Sequence, residues 1–251
     1  MRETRDIMGM PVSVEIVDTS AAQESLAKAF DYFTYIDQTF STYKEESEMS
    51  RINRGEILAS EYSADMRLIL GLAEETKKLT NGYFDIRTPD GSIDPSGIVK
   101  GWAINNVADL LRSLGHQSFY VEAGGDIQTG GNNTEGKEWR IGIRNPFDRT
   151  QIVKVVFPHG RGIATSGTAI RGGHIYDPHT KRAVAANVAS LSVIGPNVYE
   201  ADRYATAAFA MGEKGISFIE NMDGFEGYQI DAKGIATMTN GFNQYTYDQK
   251  D

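Results

Sequence analysis

In the first half of the chain, apolar residues recur at helical spacing. Leu26, Phe30, Phe33 and Ile36 follow Ser20, a residue type that caps helix N-termini, so a helix is expected there. A second helix is expected from near Ser63, carrying Met66, Ile69, Leu72 and Ala73 and stopping by Asn81-Gly82. A third runs from about Ile98 to Leu114, with Val99, Trp102, Ala103, Leu110 and Leu114 on one side and Gly115 as its stop. A short alternating run, Pro11 to Val17, precedes all three and reads as a strand, and a turn-rich stretch from Gly82 to Gly97 separates the second helix from the third.

From Phe119 onward the period shortens to two. Phe119 to Val121, Trp139 to Ile143, Ile152 to Phe157 and Ala189 to Ile194 read as strands divided by Gly, Asn and Pro. Helices near Tyr199 to Met211 and Glu213 to Asn221 follow, then a hairpin around Tyr228 to Met238 with Ala232-Lys233-Gly234 at its turn. This second half reads as a largely antiparallel sheet, and the chain shows no internal repeat, low-complexity tract or clear linker.

Composition narrows this picture mainly by exclusion. The 251 residues are 40% hydrophobic and 24% charged, enough to bury a core and short of any continuous apolar run that would span a membrane. A formal charge of -9 argues against a broad nucleic-acid footprint, so an anionic ligand has to be met locally, with a cation. Zero cysteines remove thiol catalysis, disulfides and cysteine-based zinc sites. Met1 to Ile16 lacks the apolar core of an export signal and any lipidation motif, so the chain reads as cytoplasmic. A chain trimmed of its signal would look the same, which keeps an exported or periplasmic location as the alternative.

Several short segments have the residue types that chemistry needs. In Asp94-Pro95-Ser96-Gly97-Ile98-Val99-Lys100-Gly101 a helix start with a glycine and a lysine suits an anion, because exposed amides and the helix dipole attract phosphate. The same residues also describe a capped helix with a surface lysine. Asp202 and Thr206 lie four apart on a helix and offer oxygens to a hard cation such as Mg2+; a surface Asp and a Thr bonded to its own turn is the plainer reading. His116 and His159 read as solvent-facing loop residues, and His179 as part of a turn. His174, between Gly172-Gly173 and Asp177-Pro178, can be presented to a cleft as a general base or be held as a structural histidine. The glycine-rich pieces Ala123-Gly124-Gly125-Asp126-Ile127 and Ala164-Thr165-Ser166-Gly167 leave predicted strands, and neither fits the dinucleotide fingerprint before a helix.

Taken in chain order, these pieces resemble the ApbE-type family of FAD:protein FMN transferases. The resemblance rests on Met8-Gly9, Phe40-Ser41-Thr42-Tyr43 with Ser47 and Asn53, Asn81-Gly82-Tyr83-Phe84-Asp85, Asp94 to Gly101, Gly124-Gly125-Asp126, Ala164 to Gly167, His174-Ile175 with Asp177-Pro178, and Glu200-Ala201-Asp202 with Thr206. It implies one α+β, tunnelling-fold-like domain over residues 1–251, with a mostly antiparallel sheet, helices and a ligand cleft between a sheet-based lobe and a smaller one. It further implies that FAD is the bound substrate, contacted by Met8, Tyr43, Tyr83, Phe84, Asp85, Asp94, Lys100 and Ile175. Mg2+ would be held by the Gly97 carbonyl with Asp202 and Thr206, and His174 would be catalytic. The implied product is an FMN phosphoester on a Thr or Ser of an acceptor flavoprotein. The stretch from Ile86 to Ile93 is shorter than its counterpart in many members. FAD pyrophosphatase activity, with water as acceptor, and a non-catalytic FAD carrier are the alternative readings.

Overall fold

The computed structural model describes residues 1–18, 22–167, 176–180, 182–183 and 187–246. Ser20, expected to cap the first helix, lies outside them, as do His174 and Ile175. In chain order the elements are β1 (Arg2–Ile7), β2 (Met10–Ile16), α1 (Ala22–Phe40), α2 (Glu48–Asn53), α3 (Ala64–Leu79) and α4 (Ser96–Ser113). Then come β3 (Phe119–Ala123), β4 (Asp126–Gly130), β5 (Ile141–Arg144), β6 (Ile152–Val156), β7 (Gly162–Gly167), β8 (Tyr176–Asp177), β9 (Arg182–Ala183) and β10 (Val188–Gly195). The chain closes with α5 (Val198–Ala210), α6 (Gly215–Glu220), β11 (Glu226–Asp231) and β12 (Ala236–Met238).

Eight strands form one sheet in the order β1-β2-β3-β4-β7-β10-β11-β12. Neighbouring strands run antiparallel throughout. The sheet is open, with β1 and β12 at its edges, and β5–β6 forms a separate hairpin. Because successive side chains on a strand point to opposite faces, the sheet is apolar on both. Ala164, Leu191 and Val193 pack under α5 and α6, while Ile163 and Ile194 face the other way onto Ile141, Ile143 and Val156 of the β5–β6 hairpin. Toward the N-terminal edge Val12, Val14 and Ile16 of β2 meet α1 and α4. This is the α+β arrangement that the family resemblance implied, with the mostly antiparallel sheet read from the alternating second half.

Local chemistry sets the helix limits. Ser63 accepts from the Met66 amide and starts α3, and Asn197 does the same for α5 through the Glu200 amide. The third helix begins earlier than expected, at Ser96, because the Asp94 carboxylate accepts the Ser96 amide and holds the first turn. Its buried face carries Val107 and Leu111 as well as Val99 and Trp102, whereas Leu114 is 37% exposed.

The elements not expected from sequence include β1, α2, β4 and the short pair β8 and β9. Strand β1 is paired to β2 through the two-residue turn Met8-Gly9, and both turn residues have positive φ, 57° and 70°. That is the mirror-image turn matching the twist of a hairpin, and a methionine there is unusual. Helix α2 starts at Ser47, whose hydroxyl accepts the Ser50 amide and donates to the Ser41 carbonyl. Asn53, at the end of α2, donates to the Ile93 carbonyl and accepts its amide, pinning the short stretch from Ile86 to Ile93 to the body of the domain.

Two of the histidines depart from the expectation of solvent-facing loops. His116 is 1% exposed, with Nε2 2.8 Å from the Ser25 hydroxyl, because Gly115 turns the chain inward toward α1 rather than outward. His159 places Nδ1 2.8 Å from Glu138 and its ring beside Tyr245.

Candidate active site

Helices α4 and α5 approach each other more closely than ordinary side chains permit. A Cβ at Gly101 would lie 2.6 Å from Asp202 Cβ and 2.9 Å from the Val198 carbonyl oxygen, so only glycine fits. One turn earlier, a Cβ at Gly97 would lie 3.2 Å from Thr206 Cγ2 and 3.5 Å from both Thr206 Oγ1 and Phe84. The two glycines sit on one face of α4, Asp202 and Thr206 on one face of α5, and the contact brings the faces together. The Gly101 amide donates to Asp202 Oδ2 at 2.8 Å, locking the register between the helices.

A buried charge cluster completes this corner. Asp126, the first residue of β4, is fully buried, and its Oδ1 accepts the Thr165 amide of β7 at 2.9 Å. Lys100 Nζ lies 2.5 Å from Asp126 Oδ2 and 3.6 Å from Asp202 Oδ1. The shorter contact is a close charge pairing without the alignment of a good hydrogen bond. Burial pushes the Asp202 carboxyl well above the ordinary carboxylate range; the Lys100 ammonium opposes this and Asp126 reinforces it. Among the described residues, two buried carboxylates thus face one ammonium, an arrangement with room for more positive charge.

The corner opens into a cavity of about 690 Å³, within the size range of small-molecule sites. Tyr83, Phe84, Asp85, Asp94, Ser96, Gly97, Lys100, Asp202 and Thr206 all line it, together with Gly124, Gly125, Thr165 and Ser166. Residues separated by more than a hundred positions in the chain therefore share one wall. The Tyr83-Phe84-Asp85 segment is aimed by the α3 terminus, where Asn81 and Gly82 both take positive φ. Phe84 is 2% exposed and its amide donates to Thr80, while Asp85 is tied to Lys77 Nζ at 2.7 Å. Tyr83 meets the His179 ring edge-on at 4.6 Å, and the neighbouring Pro178 is part of the cavity wall.

Met8 and Tyr43 are placed differently. Neither is on this wall; Gly9 and Met10 line it beside Met8, and Met10 Sδ would lie 2.8 Å from a Cβ at Gly124. Tyr43 is 94% exposed at the surface. Asp126 was not singled out as a site residue from sequence. The available signal was an acid directly after a Gly-Gly turn, on a strand otherwise made of uncharged residues.

The donors present are oxygens: the Asp202 carboxylate, the Thr206 hydroxyl and the backbone at Gly97. Among the described residues no group of three or more His, Cys, Asp or Glu is arranged to hold a metal by itself. A few hard oxygens beside a buried, undercompensated carboxylate suit a cation such as Mg2+, which takes few protein ligands and completes its shell with water and substrate phosphate.

An open antiparallel sheet carrying a helix pair, with a glycine-lined, acid-bearing cavity at their junction, defines a class of α+β ligand-binding domain. The chain belongs to the ApbE family, whose family model matches residues 8–90 and 87–229. It is 35% identical over 166 residues to a FAD:protein FMN transferase of Vibrio cholerae serotype O1, a match covering 62% of this chain and 48% of that protein. The chain thus spans about half the length of that relative. A FAD:protein FMN transferase of Haemophilus influenzae is 26% identical over 82% of this chain and 79% of its own length. The solved structure of flavin transferase ApbE from Vibrio cholerae superposes with a TM-score of 0.84 at 23% identity, covering 98% of both chains.

Proposed function

We propose that this chain is a Mg2+-dependent FAD:protein FMN transferase. The observation that carries the reading is the convergence of Gly97, Lys100, Asp202 and Thr206 with Tyr83, Phe84, Asp85 and Asp94 on one cavity wall. The activity named for the family's curated members supports it.

In this reading Asp202, Thr206 and the Gly97 carbonyl hold Mg2+, which supplies charge neutralisation for a pyrophosphate when bound. Asp94 and Lys100 contact the nucleotide, and the Tyr83-Phe84-Asp85 segment offers an aromatic and polar surface to the flavin end. Met8, Tyr43 and Ile175 are further FAD contacts. Met8 would act through the hairpin turn it shares with Gly9, and Tyr43 would close over bound FAD from the surface. Ile175 and the general base His174 lie outside the described residues, and their roles rest on the family resemblance.

The acceptor's Thr or Ser hydroxyl attacks the phosphorus of the FMN half, the bond to the AMP phosphate breaks, and His174 takes the hydroxyl proton. Asp126 and Lys100 keep the phosphate-facing corner charged and rigid while this happens. Restraining these groups in one pocket is where the rate enhancement would originate.

Incubating the protein with FAD, Mg2+ and flavoprotein candidates tests the proposal. The expected result is stoichiometric AMP release and a flavin-fluorescent acceptor band that survives denaturation, with the mass of FMN less water on a Thr or Ser. AMP release with only unattached FMN would replace transfer by hydrolysis. FAD binding without AMP release would leave a carrier.

A further inference from the structure

Beyond the acidic corner, the cavity lining carries arginines together with Glu122 of β3. Arg140, Arg144 and Arg149 line the cavity from the β5–β6 hairpin and the segments flanking β5, and all three are exposed. Among the described residues none of the three has a carboxylate within ion-pair distance, although the chain as a whole carries a formal charge of -9. Three exposed guanidinium groups, paired with no carboxylate among the described residues, outnumber Glu122 on this part of the cavity lining and bias it positive.

The scaffold beneath them is ordered. Asn145 closes the loop by accepting the Phe147 amide on its side chain and donating its own amide to the Gln151 carbonyl; Asp148 caps the Thr150 amide. The loop displays Phe147 at 59% exposure, with its ring 3.9 Å from where a Cβ at Gly234 would stand, next to the 61%-exposed Ile235. A basic rim with an apolar shoulder beside it has the composition of a protein-docking surface: arginines and an aromatic anchor, opening into a site where the reacting atoms meet.

We propose that this arginine-bearing hairpin is the docking surface for the acceptor protein, and that it selects a segment with carboxylates flanking the hydroxyl to be modified. The inference rests on the transferase reading above and deepens it by naming the charge of the partner. The dinucleotide itself, as another anion, is the competing occupant.

The test uses two synthetic peptides, one with a threonine flanked by aspartates and one with asparagines at the same positions, titrated by fluorescence anisotropy into the full chain in the presence of FAD and Mg2+. The aspartate peptide is expected to bind roughly tenfold or more tightly, with a preference that shrinks as salt is added. The triple variant Arg140→Gln, Arg144→Gln, Arg149→Gln is expected to abolish the preference while leaving FAD affinity, read by flavin fluorescence, within about twofold. Equal binding of the two peptides, or binding of neither, overturns the proposal. A loss of FAD affinity in the triple variant that parallels the loss of peptide binding also overturns it and assigns the arginines to the dinucleotide. If the wild-type chain shows the peptide preference but transfers FMN to no hydroxyl, the docking surface stands and the transferase reading fails.

Discussion

The two sides of the cavity use charge in opposite ways. At the acidic corner Asp126 and Asp202 are at most 2% exposed and lie within 3.6 Å of one ammonium, with glycines admitting the helices to close contact. At the rim three arginines stand in solvent on a hairpin that packs onto the far face of the sheet. Buried charges in low dielectric are felt strongly and tolerate little change, whereas exposed charges are screened and act on encounter more than on structure. The contrast fits the two proposals above, chemistry at the corner and recognition at the rim.

The harshest way to break the corner is Asp202→Ala. It is expected to lower Mg2+-dependent AMP release on the order of 10²–10³-fold, the scale seen when one preorganised electrostatic group is removed. It should also erase the rise in Tm that Mg2+ produces by binding only the folded state. A thermal melt with and without Mg2+ alongside the AMP assay checks both.

Next in size is Asp126→Ala, which strands Lys100 beside Asp202 and leaves the Thr165 amide without its acceptor. A loss of about 2–5 kcal/mol by denaturant titration is expected. Asp126→Asn should recover the part due to the amide but not the charge pairing, so kcat should stay low while KM for FAD changes little.

Gly101→Ala asks whether close helix approach matters on its own. The added methyl meets Asp202 Cβ and the Val198 carbonyl, and a cost of about 1–3 kcal/mol is expected, with weakened Mg2+ response in the fraction that folds.

His116→Ala is the control away from the cavity. Loss of the buried contact with Ser25 should lower stability by about 1–3 kcal/mol in a denaturant melt while leaving turnover per folded molecule unchanged. The smallest effect belongs to single rim variants such as Arg144→Gln, expected to raise the acceptor KM about two- to threefold at low salt and less at high salt. A large stability change there would erase the contrast between the two sides.

Much of this architecture was legible because it follows from local period and capping. Leu26, Phe30, Phe33 and Ile36 do face the core from α1, Ser63 does cap α3, and the alternation around Phe119 and Ala189 does lie in the central sheet. Strand β1 was missed because Arg2 to Ile7 is an exposed edge strand with a charged face, which leaves no apolar alternation to read. Helix α2 was missed because six residues cannot show a helical period, and its cap Ser47 is satisfied by Ser41, a partner outside the helix. His116 was misjudged because a residue after a helix stop resembles a loop residue until the direction of the chain is known.

The site divides along the same line. The residue types and spacings of Asp94 to Gly101 and of Asp202 with Thr206 were visible as chemistry in waiting, and their order along the chain carried the family resemblance. Only the folded chain decided that Asp126 belongs with them, that Lys100 is held between two carboxylates, and that Arg140, Arg144 and Arg149 face the same cavity. Helical period, turn residues and caps depend on neighbours a few positions away, and so a linear string records them. Burial, charge pairing and the joining of two helices through glycine depend on residues a hundred positions apart, which are brought together only when the sheet and helices pack.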